Sequence, residues 1–147
     1  GYGDHAPNVI KIFRRPLEQV SHTRAALLRN IRATVIHELA HKLDMLDGYS
    51  NGHPPLHASM DHQVWHDTLE AAYLHLKHRV ETGHKPELNP YAATSPAEFF
   101  AVCSEYFFAS PGRLHTAYPE VYKQLSLFYK QQPLQGKHLI HVSHVAV

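Results

Sequence analysis

Cysteine is nearly absent from this chain. Cys103 stands alone in 147 residues, so no disulfide can close within it, and a reducing cytoplasm is the expected compartment. An excess of charge of either sign is also missing. Fourteen Lys and Arg against thirteen Asp and Glu leave +1, with no basic block, which removes the electrostatic footprint of a nucleic-acid binder. No apolar run approaches bilayer length, and the opening GYGDHAPN has no basic segment followed by an apolar one, so neither a membrane span nor an export leader is expected. Internal repeats and low-complexity stretches are missing too. What remains is 44% apolar residues in a length that suits one globular domain. The chain opens on Gly1 rather than Met, as expected of a fragment, a processed form or a trimmed chain. Its one compositional excess is histidine, with fifteen.

The hydrophobic pattern is mainly helical. NVIKIF (Asn8 to Phe13) is short and β-branched and predicts one strand, closed by Pro16. From about Ser21 to Leu46, Leu27, Leu28, Ile31, Val35, Leu39, Leu43 and Leu46 recur at helical spacing, and Gly48 sits where a helix would stop. A second helix is predicted over about Asp61 to Val80, with Trp65, Leu69, Ala72, Tyr73, Leu76 and Val80 on one stripe. A third runs from about Ser95 to Ala109 and ends before Pro111; a fourth runs from about Pro119 to Gln131 and ends before Pro133. The tail GKHLIHVSHVAV reads as a strand or a loose end.

Inside the first helix lies VIHELAHKLD, an H-E-x-x-H pattern. In so histidine-rich a chain it would arise by accident in about one case in twelve, so its setting has to decide. Residues i and i+4 of a helix differ by about 40° around the axis, which puts the imidazoles of His37 and His41 side by side, able to close on one Zn²⁺. Glu38, about 100° further round, is kept from ligating but can reach a water at the metal, the position of a general base. That is the arrangement for peptide-bond hydrolysis. Surface histidines beside a solvated glutamate are the plain alternative. Flanking Ile36, Leu39, Ala40 and Leu43 mark a partly buried turn, where unpaired imidazoles would be costly, and so favour the metal. The pairs His62/His66 and His75/His78 have no glutamate placed as base and read as solvated faces; His138, His141 and His144 read as composition.

A catalytic zinc needs a third protein ligand. Asp47, six residues after His41, fills the last place of an extended H-E-x-x-H-x-x-G-x-x-H pattern, but Asp44 stands where that pattern has glycine. Glu98 can approach from a second helix. It equally completes a capping box, with Ser95 as N-cap and Pro96 at the first helical position, and pattern alone leaves the two roles even. Glu105, seven residues further on, either holds a ligating histidine or pairs on the surface. Asp44 is a second candidate for orienting a histidine, and Asn51 with Gly52 either borders a cleft or makes a plain turn.

HELAHKLDMLDG, the following NG with prolines, YAATSPAEFFAVCSEYFF and YPEVYKQLSLFYKQQP together resemble the Mlc titration factor A family of bacterial zinc peptidases, over roughly residues 30 to 134. That family's site is similar in turn to the catalytic domain of anthrax lethal factor. The resemblance implies that His37, His41 and Glu98 are ligands of Zn²⁺, that Glu38 is the base and that Tyr91 is the active-site tyrosine; as residues alone, Tyr91 reads as an ordinary loop aromatic. The implied fold is a mainly α, α+β zincin-like metallopeptidase domain with its N-terminal sheet reduced or missing. It spans residues 1–147 as the C-terminal part of a longer family protein. The implied activity is that of a cytoplasmic, aminopeptidase-like enzyme acting on peptides, with the Mlc repressor of glucose-uptake genes as partner. The rival from another class is a repressor-binding module whose zinc is structural or vestigial, with Cys103 or a tail histidine as a possible fourth ligand.

Overall fold

The computed structural model describes residues 20–135. Helix α1 (Val20–Asp44) holds no glycine or proline, and so runs unbroken through the H-E-x-x-H. A 3₁₀ turn (Met45–Asp47) follows and ends at Gly48, whose φ of 95° lets its N–H return to the Met45 carbonyl. Helix α2 (His62–Glu81) starts at Asp61, whose carboxylate accepts from the N–H groups of Gln63 and Val64. A 3₁₀ turn (Pro90–Ala93) capped by Asn89 leads to α3 (Pro96–Ala109), capped by Ser95. Two short helices, α4 (Pro111–Ala117) and α5 (Pro119–Tyr129), complete the described chain. Among the described residues there is no strand, and no helix is long and apolar enough to cross a membrane. The strand expected at Asn8 to Phe13 and the tail after Gln135 lie outside the described residues.

The architecture is mainly helical, as the periodicity predicts, with one difference. Pro111 was expected only to end the third helix; it does so and also opens α4, occupying the first helical position where its missing N–H is not needed. Pro119, eight residues after Pro111, repeats the device at the start of α5.

Backbone contacts divide the chain into two units, Gly1–Val35 and Ile36–Val147. The described part of the first is residues 20–35 of α1, in which Leu28, Ile31 and Val35 are exposed. The second holds the core. Helix α2 contributes Trp65, Leu69, Ala72 and Leu76, the stripe anticipated for it, while Tyr73 is half-buried and Val80 exposed. Helix α3 is the central element. It buries Ala97, every residue from Phe99 to Ser104, and Phe107, a pattern too broad for an amphipathic surface helix. Trp65, Phe100 and Phe128 form a triangle of rings with centroids 5.5–6.0 Å apart, the offset and edge-on spacing aromatic pairs prefer. Each such ring contributes about 1.5–3 kcal/mol by leaving water. Apart from its exposed first proline and its last two residues, α3 leaves only Glu98, Glu105 and Tyr106 incompletely buried, and the two glutamates lie seven apart on one stripe.

Candidate metal centre

The histidines one turn apart on α1 and the carboxylate on α3 meet at one point. Nε2 of His37 and Nε2 of His41 are 3.2 Å apart, and each is 2.8 Å from Oε1 of Glu98. Among the described residues, His37, His41 and Glu98 are the group of three donors able to hold a metal ion. A zinc ion with bonds of about 2.0–2.1 Å in tetrahedral geometry sets neighbouring donors about 3.3 Å apart. The observed triangle is a slightly contracted face of that tetrahedron, and two imidazoles with one carboxylate are the chemistry zinc takes, so these residues fit the ion. The side chain of His37 is 8% exposed, that of His41 18% and that of Glu98 22%, so the group is largely, but not wholly, removed from solvent.

Glu98 serves two purposes at once. Its backbone N–H donates to Ser95 Oγ at 3.1 Å, as the capping-box reading requires, but its carboxylate does not fold back to close the helix end. Oε1 faces the two imidazoles, and Oε2 accepts from the phenol of Tyr91 at 3.0 Å. Tyr91 stands in the 3₁₀ turn just ahead of α3, where Asn89 caps its N–H, and its ring lies 6.1 Å from that of His37. The other nitrogen of His37, Nδ1, is 2.6 Å from Oε1 of Glu105.

Charge in the cluster follows from these contacts. Burial pulls the pKa of His37 down, but the hydrogen bond and charge of Glu105, with those of Glu98, raise it above its ordinary 6.5 on balance. Burial pulls Glu98 up, but the hydrogen bond and charge of His41, the phenol of Tyr91 and the charge of His37 bring it below its ordinary 4.5.

The remaining predicted residues fall as follows. Glu38 is exposed on α1 beside His37. Asp47 is exposed in the 3₁₀ turn, accepts the N–H of Tyr49 and stands apart from the donor group. Cys103 is buried in the apolar core, which pushes its thiol well up, and it too stands apart from the donors. Asp44 does not orient a histidine. It is fully buried and accepts from the N–H of Gly52 at 2.7 Å and of His53 at 3.1 Å, tying the end of α1 to the following loop. Gly52 is more than a plain turn. With φ of 77°, it packs so closely on α3 that an added Cβ would meet the Pro96 carbonyl oxygen at 2.6 Å, and its own carbonyl accepts from Trp65 Nε1. His66 pairs with Glu70 in solvent, in keeping with a solvated face, whereas His62 meets His53 at 3.0 Å and His75 meets the Tyr118 hydroxyl at 2.9 Å. Helical spacing could not show those last two partners, which stand nine and 43 residues away in sequence.

Residues 18–130 match the family described as glucose-regulated metallo-peptidase M90. Proteins named Mlc titration factor A from Yersinia pestis (strain Pestoides F) and Yersinia pseudotuberculosis serotype O:1b (strain IP 31758) are each 45% identical to this chain over 103 residues. That alignment covers 68% of this chain and 38% of each relative, so the chain spans little more than a third of the length of the curated relatives it matches.

Proposed function

The chain belongs to the glucose-regulated metallo-peptidase M90 family, the family of Mlc titration factor A, and from that premise we propose that it is a zinc-dependent, aminopeptidase-like hydrolase of peptide bonds. The observation that carries the reading is the convergence of His37, His41 and Glu98 on one point, with Glu38 beside them and open to solvent. In this reading His37, His41 and Glu98 hold the ion. Bound there, zinc supplies Lewis acidity, lowering the pKa of a water and polarising the scissile carbonyl. Glu38 takes the proton of the attacking water and delivers it to the departing amine. Tyr91, a phenol that donates at neutral pH, turns its hydrogen bond toward the negative charge growing on the carbonyl oxygen. Three protein donors suit catalysis, since a structural zinc is normally closed by four.

Residues 1–147 are on this proposal a single catalytic domain of a longer, cytoplasmic family protein. The name of the relatives, Mlc titration factor A, supports a second role, binding of the Mlc repressor and so regulation of glucose-uptake genes. The alternative function is that of a non-catalytic repressor-binding module with a structural or vestigial zinc.

Metal content per chain, together with hydrolysis of a chromogenic aminoacyl amide by the parent and by Glu38→Gln, tests the enzyme reading. About one zinc in both proteins, with activity in the parent alone, is the expected result. Zinc with no hydrolysis in either, under conditions where repressor binding persists, would leave the binding module in its place.

A further inference from the structure

The shortest contact of the site lies behind the imidazole of His37 rather than in front of it. Nδ1 of His37 and Oε1 of Glu105 are 2.6 Å apart, the length of a charge-assisted hydrogen bond. We propose that Glu105 is a positioning residue: its carboxylate accepts the Nδ1 proton of His37 and so fixes the ring with Nε2 toward Glu98 and the metal position. The proposal rests on the metallopeptidase reading for its consequence, but the bond from Nδ1–H to Glu105 that it asserts is a property of the metal-free chain.

The helix geometry makes the arrangement rigid. Glu98 and Glu105 are seven residues apart, two turns along the same stripe of α3, and the imidazole of His37 spans the interval, with Nε2 on the first carboxylate and Nδ1 on the second. Helix α3 is the most deeply buried element described, so the two oxygens cannot drift independently. His37 itself is 8% exposed, which leaves little room for water to replace Glu105. A surface salt bridge, the plainer role for Glu105, would need a cation. Among the described residues no lysine or arginine pairs with it, and its ion-pair partner is His37.

A neutral imidazole carries one proton, on either nitrogen. A proton on Nε2 occupies the position needed for a metal bond, and Glu98 at 2.8 Å favours it while the metal is absent; a carboxylate fixed at Nδ1 keeps a proton there, so that Nε2 is the nitrogen that gives up its own to the ion. Negative charge at Nδ1 also strengthens Nε2 as a donor. The two histidines differ here. His41 is more exposed, and among the described residues none hydrogen-bonds its Nδ1. His37 is thus the pre-set ligand and His41 the adaptable one.

The test measures two quantities on the parent chain, Glu105→Gln and Glu105→Leu. The first is the tautomer of His37 in the metal-free protein, from its imidazole ¹⁵N shifts. The second is zinc affinity, by competition with a chromophoric chelator. Glu105→Leu is expected to shift His37 away from the Nδ1–H form and to weaken zinc binding about 10–100-fold. Glu105→Gln, which keeps an acceptor oxygen without the charge, is expected to retain most of the Nδ1–H form and to fall between the two in affinity. An unchanged tautomer and unchanged affinity in Glu105→Leu would overturn the proposal. Should the leucine variant not fold, unchanged zinc affinity in Glu105→Gln overturns it alone. Failure of the peptidase reading would look different: the parent would bind zinc without hydrolysing peptides, while the tautomer shift on Glu105→Leu would still stand in support.

Discussion

The phenol of Tyr91 donates to Oε2 of Glu98 at 3.0 Å while Oε1 of the same carboxylate faces both imidazoles. The tyrosine thus steers the carboxylate before any substrate arrives, and on the proposed function the phenol also serves the carbonyl oxygen. Tyr91→Phe is expected to lower kcat about 10²-fold, the scale for loss of one oxyanion donor, with zinc still bound and KM little changed. Steady-state kinetics on a chromogenic aminoacyl amide, with metal analysis of the same sample, measure all three. Release of zinc by this change would make metal-ligand orientation the dominant role of Tyr91.

The two glycines after α1 make a matched pair. Gly48 and Gly52 both have positive φ, but a Cβ on Gly48 meets nothing within 4 Å, whereas one on Gly52 meets the Pro96 carbonyl oxygen at 2.6 Å. Gly48→Ala is expected to cost about 1 kcal/mol from backbone strain alone. Gly52→Ala adds a backbone clash next to the start of α3, and is expected to cost about 2–4 kcal/mol and to weaken zinc binding as well. Denaturant unfolding of both variants reads the difference, and equal losses would remove the close approach of Gly52 to α3 as a factor.

Metal-free stability should depend on pH in a defined window. Glu98 lies below its ordinary 4.5, so its contribution is full above 4.5 and is lost as pH falls through its lower folded value. His37 lies above its ordinary 6.5, so its contribution is full below 6.5 and is lost as pH rises through its higher folded value. Both are complete only between 4.5 and 6.5. Asp44, raised above its ordinary 3.8 chiefly by burial and against its backbone hydrogen bonds, acts oppositely at the acid edge, its share being lost as pH rises through its folded value. Zinc reverses the dependence on His37, because a ligating imidazole must be unprotonated. The rise in Tm on adding zinc is therefore expected to be larger on the alkaline side of that window than inside it, and thermal melts with zinc and with chelator at two pH values check the sign.

Much of this was legible in the sequence because it is local. An uninterrupted helical pattern carries His37 and His41, and Ser95, Pro96 and Glu98 announce the start of α3 by residue type and spacing. Whether the carboxylate of Glu98 caps its helix or reaches the histidines depends on where α1 lies against α3, and short-range pattern holds no record of that. For the same reason residue spacing leaves Glu105 balanced between holding a histidine and pairing on the surface, with Asp44 as a further candidate to orient a histidine. The structure gives the task to Glu105, because Asp44 lies on the buried side of α1 that meets the 51–53 backbone. Tyr91 as a residue in a loop carried no signal at all; only the family resemblance pointed to it. Pro111 shows the limit of reading proline as a stop, since the same ring that ends one helix suits the first turn of the next.

Trp65 is the chain's single tryptophan, fully buried against Phe100 and Phe128, and its indole N–H donates to the carbonyl of Gly52. The molecule therefore carries one indole fluorophore, excited at wavelengths its eight tyrosines do not absorb and moored to the loop that docks at the start of α3. Lifting of that loop takes away the acceptor of the indole N–H. Undocking next to Glu98 is thus written into the colour of the protein's own emission, without any label attached.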